Sequence, residues 1–303
     1  MTTRSLDRLN RRRAAVGSAL TLGIDPHPDR LPAELSPDLG GVERFARGLV
    51  EAVADAVCAI KVNAAFFEAF GSPGWAALER LRADVPVEHF FVLDAKRGDI
   101  GTTAERYAEA IFGRLDADAV TLSPYLGADA IEPFLAHPGR VVYVLARTSN
   151  PSAGQFQDLA VDGEPLFLHV ARWVADRWPD PRVGLVVGAT APVELAMTRA
   201  VNVEALNPWS DTVTRYVSSA RASAGSGATP RRDHRRCAAL LNVDGALAPG
   251  LISVSRGIAE ASSGSDWASA AASAASAWGR RLNDAVLDSG PCPAPAAVSE
   301  VQE

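Results

Sequence analysis

The stretch FFVLDAKRGDIGTT, residues 90–103, joins an apolar strand directly to a run of charges of alternating sign. A strand is ordinarily bounded by turn residues, whereas this one runs into Asp94, Lys96 and, after a glycine, Asp99. Because side chains alternate faces along an extended chain, we expect Asp94 and Lys96 to project to the same side. Burying an unpaired ion costs several kcal/mol, so this stretch predicts either a fully paired ion network or a site that uses the charges.

Apolar runs on both sides of this central strand alternate with helical patterns. They predict further strands over residues 18–25, 57–63, 119–124, 141–146, 183–190 and 251–258, and helices over 5–16, 42–56, 75–83 and 103–112. Strands that alternate with helices indicate parallel βαβ units, and their continuous apolarity indicates that both faces are covered. Polar residues follow nearly all of the strands, which favours a TIM (β/α)8 barrel. A doubly wound sheet is the alternative, but the first strand lacks a G-x-G-x-x-G turn.

The seventh strand of such a barrel is predicted to be irregular or missing. Residues 197–238 show neither strand nor helix periodicity, and they contain the charged run RRDHRR at 231–236. We therefore expect one domain over residues 1–289 that contains an aberrant segment at 197–238. The proline-rich residues 290–303 are predicted to form a disordered tail.

Composition excludes several classes of function. A formal charge of -6 gives no reason to expect nucleic-acid binding, and no apolar run approaches the roughly 18 residues of a membrane span. Cys58, Cys237 and Cys292 form no C-x-x-C and have no histidine at metal-ligand spacing. The sequence therefore predicts a cytoplasmic protein without a structural metal.

The pattern D-x-K-x-x-D-I-x-x-T falls on Asp94, Lys96, Asp99, Ile100 and Thr103. It resembles the catalytic centre of the orotidine 5'-monophosphate decarboxylases, in the bacterial branch that carries D-A-K-R-G-D-I. The resemblance implies a lyase that decarboxylates orotidine 5'-monophosphate to uridine 5'-monophosphate without cofactor or metal, the last step of de novo pyrimidine synthesis. It also implies that Asp94 faces the leaving carboxylate and that Lys96 delivers the replacing proton. Asp99, Ile100 and Thr103 would reach the partner's site in a homodimer with shared active sites.

Other strand ends match the same family residue by residue. Asp25 in LGID and Lys61 in AIKVN match residues that hold ribose hydroxyls, and Lys61 would also extend the catalytic charge chain. Ser149 in TSNP matches a serine that binds the pyrimidine, and Arg256 in SVSRGI matches the arginine that grips the 5'-phosphate. The structural alternatives are a strand-terminal cap at Asp25, a surface lysine at Lys61 and a turn serine at Ser149. The sequence assigns no catalytic role to the histidines, His27, His89, His137, His169 and His234.

The resemblance fails at the family's phosphate loop, P-G-x-G-x-Q-G, which is absent between Thr190 and Leu251. A GC-rich coding sequence chosen for residues 220–230 yields P-G-x-G-x-Q in another reading frame. A pair of compensating frameshifts that brackets residues 197–238 is therefore one hypothesis. The alternatives for function are a catalytically impaired or dead family member, and a related sugar-phosphate synthase that uses a metal to stabilise an enediolate. The R-G-D-I-G-x-T and T-S-N-P motifs favour the decarboxylase.

Overall fold

The computed structural model describes residues 4–188, 193–198, 215–218, 242–243, 246–247 and 250–288. Its main sheet consists of β1 (Leu20–Ile24), β2 (Ala59–Asn63), β3 (Phe90–Arg97), β4 (Ala119–Leu122), β5 (Val141–Arg147), β6 (Val183–Gly188), β7 (Arg215–Ser218) and β8 (Gly250–Val254). These strands pair in parallel in chain order, and β8 pairs with β1 to close a barrel. The predicted TIM-barrel fold is confirmed.

Helices follow most of the strands, as the periodicity predicts. They are α1 (Arg4–Val16), α2 (Leu39–Val53), α3 (Ala65–Glu68), α4 (Gly71–Asp84), α5 (Gly101–Ala108), α6 (Glu132–Leu135), α7 (Leu166–Arg177), α8 (193–198), α9 (Arg256–Ala259) and α10 (Trp267–Asp288). Glu109–Arg114 continues α5 as a π-helix. Short 3-10 helices span Pro28–Arg30, Ala54–Ala56, Gly127–Ala130 and Pro151–Gln155. Two antiparallel ladders pair Ala160–Val161 with Glu164–Pro165, and Asn242–Val243 with Ala246–Leu247.

A strand does form in the seventh position, so the expectation that it is missing is corrected. Arg215 of β7 lies opposite Leu185 of β6 on one side and opposite Gly250 of β8 on the other. The pairing of backbone groups with both neighbours specifies this strand without a hydrophobic repeat in its own sequence, because β structure depends strongly on context. Apart from 197–198 and β7, the predicted aberrant segment lies outside the described residues, as does the predicted tail at 290–303.

The last strand is shorter than the sequence predicts. The sequence predicts an extended chain over residues 251–258, but β8 ends at Val254 and α9 begins at Arg256. This change of direction places Arg256 at the carboxyl end of the barrel, where a helix begins.

The alternation of side chains along β3 connects the core to the charged run. Phe90 and Val92 belong to the cluster inside the barrel, whereas Phe91 and Leu93 belong to the cluster between strands and helices. Asp94 is the next residue on the inward face, at the point where the strand leaves the core. The apolar pattern therefore directs this carboxylate into the carboxyl end of the barrel.

Helix α1 closes the opposite end of the barrel. Its Leu6 and Leu9 are buried in one cluster with Ala59, Phe90 and Val141, each of which begins a strand. The amino-terminal end of the barrel is therefore filled by apolar side chains. Within the described ranges, no helix combines the length and the apolarity needed to cross a membrane.

Candidate active site

A cavity of about 560 Å³ opens at the carboxyl ends of the barrel strands. The predicted site residues that line it are Asp25, Lys61, Asp94, Lys96, Ser149 and Arg256. They come from the ends of different strands, which is the usual position of active sites in TIM barrels. The fold thus brings into one cavity residues that are as far apart in the sequence as Asp25 and Arg256.

Four of these side chains form a chain of ions of alternating charge. Lys61 Nζ lies 3.0 Å from Asp25 Oδ1 and 3.3 Å from Asp94 Oδ2. Lys96 Nζ lies 2.6 Å from Asp94 Oδ1. The side chains of Lys61 and Asp94 are only 4% and 6% exposed, whereas that of Lys96 is 48% exposed. The buried ions are therefore paired, and the Lys96 ammonium is the accessible end of the chain.

The pKa values of both carboxyl groups are held low. Burial alone would raise the pKa of Asp25, but the Lys61 charge and hydrogen bonds from Ser255, Lys61 and Asn63 outweigh burial and lower it to about 2. Burial likewise opposes ionisation of Asp94, but its two lysine neighbours lower the pKa of this carboxyl group. Both groups are therefore carboxylates at neutral pH.

Gly23 on β1 provides the space in which Ser255 lies. A Cβ atom at Gly23 would come within 2.1 Å of Ser255 Oγ, so only glycine fits without displacing the serine. Ser255 is buried, hydrogen-bonds Asp25 and immediately precedes Arg256. The glycine therefore supports the positions of two predicted binding residues.

The other predicted site residues lie outside this cavity. Asp99 Oδ1 accepts a hydrogen bond of 2.9 Å from the Ile100 backbone N–H. Ile100 is exposed, and Thr103 is exposed in the first turns of α5. Asp99, Ile100 and Thr103 thus do not line the cavity of their own chain.

Several polar residues of the cavity wall were missed by the sequence reasoning; they are His27, Asn63, Thr148, Asn150, Gln157 and Ser255. Asn63 could have been found, because it follows Lys61 by two residues on β2 and shares its face. Gln157 has no such signal. Its amide donates a hydrogen bond of 2.8 Å to Thr148 Oγ1, across a loop that only the folded chain closes.

The composition of the chain also carries a signal for the site. Of the 30 Lys and Arg residues in the chain, only Lys61 and Lys96 are lysines. Both belong to the ion chain of the cavity. The other 28 of these side chains are arginines, so lysine side chains occur in this sequence only at the ion chain.

Among the described residues, the thiol of Cys58 lies outside the cavity. Cys58 is fully buried, and burial raises the pKa of its thiol to about 12, so it stays protonated. In the part of the chain that the structure describes, no group of three or more His, Cys, Asp or Glu side chains is placed to hold a metal ion.

Comparisons with known proteins all find similarity to one family. The family model for "Orotidine 5'-phosphate decarboxylase / HUMPS family" matches residues 18–270. The chain is 52% identical over 187 residues to the orotidine 5'-phosphate decarboxylase of Roseiflexus sp. (strain RS-1). This aligned region covers 60% of this chain and 67% of that protein. It is 41% identical over 285 residues to the enzyme of that name from Bordetella petrii, covering 90% and 94% of the two chains. The fold matches the solved structure of Leishmania donovani OMP decarboxylase with a TM-score of 0.75 and 35% identity, covering 94% of this chain and 99% of that one.

Proposed function

This chain belongs to the orotidine 5'-phosphate decarboxylase / HUMPS family, and from that premise we propose that it decarboxylates orotidine 5'-monophosphate to uridine 5'-monophosphate. It is a carbon–carbon lyase of pyrimidine biosynthesis. The alternatives, a metal-dependent sugar-phosphate synthase and a dead family member, are not favoured by relatives that are named as decarboxylases. The observation that carries the proposal is the alternating ion chain that ends in the cavity at Lys96.

The chain's own residues would supply the chemistry, without a cofactor. The bond between C6 of the pyrimidine and its carboxylate breaks, carbon dioxide leaves, and the electron pair stays on C6. A preorganised ammonium at Lys96 stabilises this developing charge and then transfers a proton from Nζ to C6. Asp94 repels the substrate carboxylate more than the transition state, in which that charge has moved away. The close approach of Lys96 Nζ to Asp94 supports these paired roles.

The remaining residues of the cavity would bind the rest of the nucleotide. Asp25 and Lys61 would hold the ribose hydroxyls, and Ser149 would hydrogen-bond the pyrimidine. Arg256 would bind the 5'-phosphate, because a guanidinium offers two parallel hydrogen bonds to phosphate oxygens. All four line the same cavity as Lys96, which supports this division of roles.

We further propose a homodimer in which Asp99, Ile100 and Thr103 complete the partner's site. Two features support it: these residues do not line their own chain's cavity, and large apolar side chains nearby are exposed, namely Ile100, Tyr107, Tyr125 and Leu126. Mixing Asp99→Ala chains with Lys96→Ala chains should restore part of the activity, since one intact site forms in each heterodimer. The absence of restored activity in demonstrated heterodimers would count against the shared site.

The Lys96→Ala variant tests the function itself. Loss of both the proton donor and the electrostatic stabilisation should lower kcat/KM by about 10⁴-fold or more, measured as release of labelled carbon dioxide. Arg80→Met is a matched control, because it removes a cation from an exposed pair with Glu43 outside the cavity. A Lys96→Ala variant with turnover near that of the parent would overturn the assignment.

The segment 197–238 bears on the rate rather than on the reaction. Loss of one charge-assisted hydrogen bond to the phosphate costs about 1.5–3 kcal/mol, which corresponds to roughly 10- to 150-fold in kcat/KM. We therefore expect weak activity from the chain as written and higher activity from a chain with the restored reading frame. Resequencing codons 190–250 tests the frameshift hypothesis. One continuous frame together with full activity would show that another residue replaces the missing loop.

We also infer a single domain over residues 1–289 and a cytoplasmic location. The family match over residues 18–270 supports the first, and the cysteine pattern of the sequence supports the second.

A further inference from the structure

The pairing of β3 with β4 is irregular at the catalytic residues. Leu93 lies opposite Val120, and the next pair joins Arg97 to Leu122. Residues 94–96 of β3 therefore face a single residue of β4, Thr121. Within this bulge the backbone of Lys96 has a φ of 46°, in the left-handed region that residues other than glycine rarely adopt.

The hydroxyl group of Thr121 bridges the two ends of the bulge. Its Oγ1 accepts a hydrogen bond of 3.0 Å from the Lys96 backbone N–H. The same hydroxyl donates a hydrogen bond of 2.9 Å to Asp94 Oδ1. That carboxylate oxygen is also the one that lies 2.6 Å from Lys96 Nζ. Thr121, the Lys96 backbone, the Lys96 side chain and Asp94 thus form one closed loop of contacts.

The hydroxyl is well suited to fix this loop. A hydroxyl has one proton to donate, and here that proton goes to Asp94 while a lone pair receives the Lys96 N–H. Thr121 is only 1% exposed and does not line the cavity, so water does not compete for these bonds and the substrate does not touch the side chain. The hydrogen bond from Thr121 also contributes to the lowered pKa of Asp94.

We propose that Thr121 is a positioning residue for the decarboxylation: its hydroxyl holds Lys96 in the left-handed conformation and turns Asp94 toward the Lys96 ammonium. The inference rests on the proposed role of Lys96. Thr121 acts through Lys96 and Asp94 and makes no contact of its own with the reacting atoms. A residue left in a disfavoured conformation without this bond would relax, and the ammonium would move away from C6.

Thr121→Val tests the proposal, because it removes the hydroxyl and keeps the volume nearly constant. Displacement of the ammonium should lower kcat by about 10- to 100-fold, since a shift of 1 Å at a reacting group can cost that much. KM should change little, because the substrate contacts proposed for Arg256 and Ser149 remain. Thr121→Ser keeps both hydrogen bonds and should recover most of kcat. Thr21→Val is the matched control, since it makes the same change at a buried position of β1.

A purely structural role predicts a different pattern. In that case Thr121→Val lowers the melting temperature but leaves kcat per folded molecule at the parent value, and this result would overturn the proposal. If the valine variant does not fold, Thr121→Cys takes its place, because a thiol keeps the volume and weakens both hydrogen bonds. A parent-like kcat in the cysteine variant would overturn the proposal in the same way.

A second measurement does not depend on activity. Selective ¹⁵N-lysine labelling gives two backbone amide resonances, because the chain has two lysines, and Lys96→Arg identifies that of Lys96. In Thr121→Val the Lys96 amide should shift and lose protection from hydrogen exchange, while the Lys61 amide stays as in the parent. An unchanged Lys96 amide would refute the positioning role. A parent chain without decarboxylase activity would refute the proposed function, and the amide measurement would still decide the role of Thr121.

Discussion

Replacing Lys61 by methionine removes the cation that two carboxylates share. The side chain is 4% exposed, and its ammonium lies 3.0 Å from Asp25 and 3.3 Å from Asp94. At an effective dielectric constant of about 20, each pair has a gross attraction of ~5 kcal/mol, which the desolvation of the buried ions largely offsets. Removal of one partner leaves the desolvation cost without the attraction. We therefore expect the free energy of unfolding to fall by about 3–5 kcal/mol at pH 7.

Urea unfolding at a series of pH values measures both the size and the origin of this loss. In the parent, Lys61 helps to lower the pKa of Asp25 to about 2. Without Lys61, burial raises the pKa of that carboxyl group, so the variant gains stability by taking up a proton as the pH falls. The difference in stability between parent and variant should therefore shrink between pH 7 and about pH 4.

The control for this experiment is the exposed pair of Arg80 and Glu43. Arg80 is 55% exposed, so Arg80→Met should cost little stability at pH 7. If Lys61→Met cost no more than this control, and its loss did not shrink at low pH, the reasoning from the ion chain would be refuted.

Three further predictions concern the same end of the barrel. The pKa of Asp25 lies at about 2, below its usual 3.8, so the parent should lose on the order of 2 kcal/mol of stability as the pH falls from about 4 to about 2. Unfolding measured at each pH should show this loss in the parent and not in Asp25→Asn. An equal dependence of stability on pH in the two proteins would contradict the prediction. Gly23→Ala forces a Cβ atom to within 2.1 Å of Ser255 Oγ, so it should cost about 1–3 kcal/mol in thermal unfolding and lower kcat/KM; a parent-like melting temperature would argue against this close packing. Arg256→Lys should lower kcat/KM for orotidine 5'-monophosphate by roughly 10- to 150-fold, because lysine cannot form two parallel hydrogen bonds to phosphate. The same variant should act on orotidine, which lacks the phosphate, as the parent does; an equal loss on both substrates would exclude the phosphate role.

The features that sequence reasoning predicted are those that local patterns encode. Alternation along β3 predicts that Asp94 and Lys96 lie on one side of the chain, and the structure brings their charged groups to 2.6 Å through a bulge that alternation does not predict. Continuous apolar runs identified seven strands of the barrel because each run is buried on both faces. The pairing of the buried ions was also predictable, because a buried charge is costly without a partner of opposite sign.

The features that escaped prediction depend on contacts between distant parts of the chain. Strand β7 is held by its neighbours on both sides, and its own four residues carry no repeat. The left-handed backbone of Lys96 is not a preference of lysine, and it arises where Thr121 of the next strand supplies the hydrogen-bond acceptor. The hydrogen bond at this register shift joins Lys96 to Thr121, which lie 25 positions apart in the sequence.

The scarcity of lysine has a practical consequence for handling this protein. Apart from the α-amino group, its amines are those of Lys61, which is buried, and Lys96, which is 48% exposed. Reagents that attach dyes, biotin or a solid support through amines therefore have Lys96 as their accessible side-chain target. Amine coupling that tags the outer surface of an ordinary enzyme would here block the cavity, and bound nucleotide would protect against it. Attachment through carboxyl groups leaves both amines of the ion chain untouched.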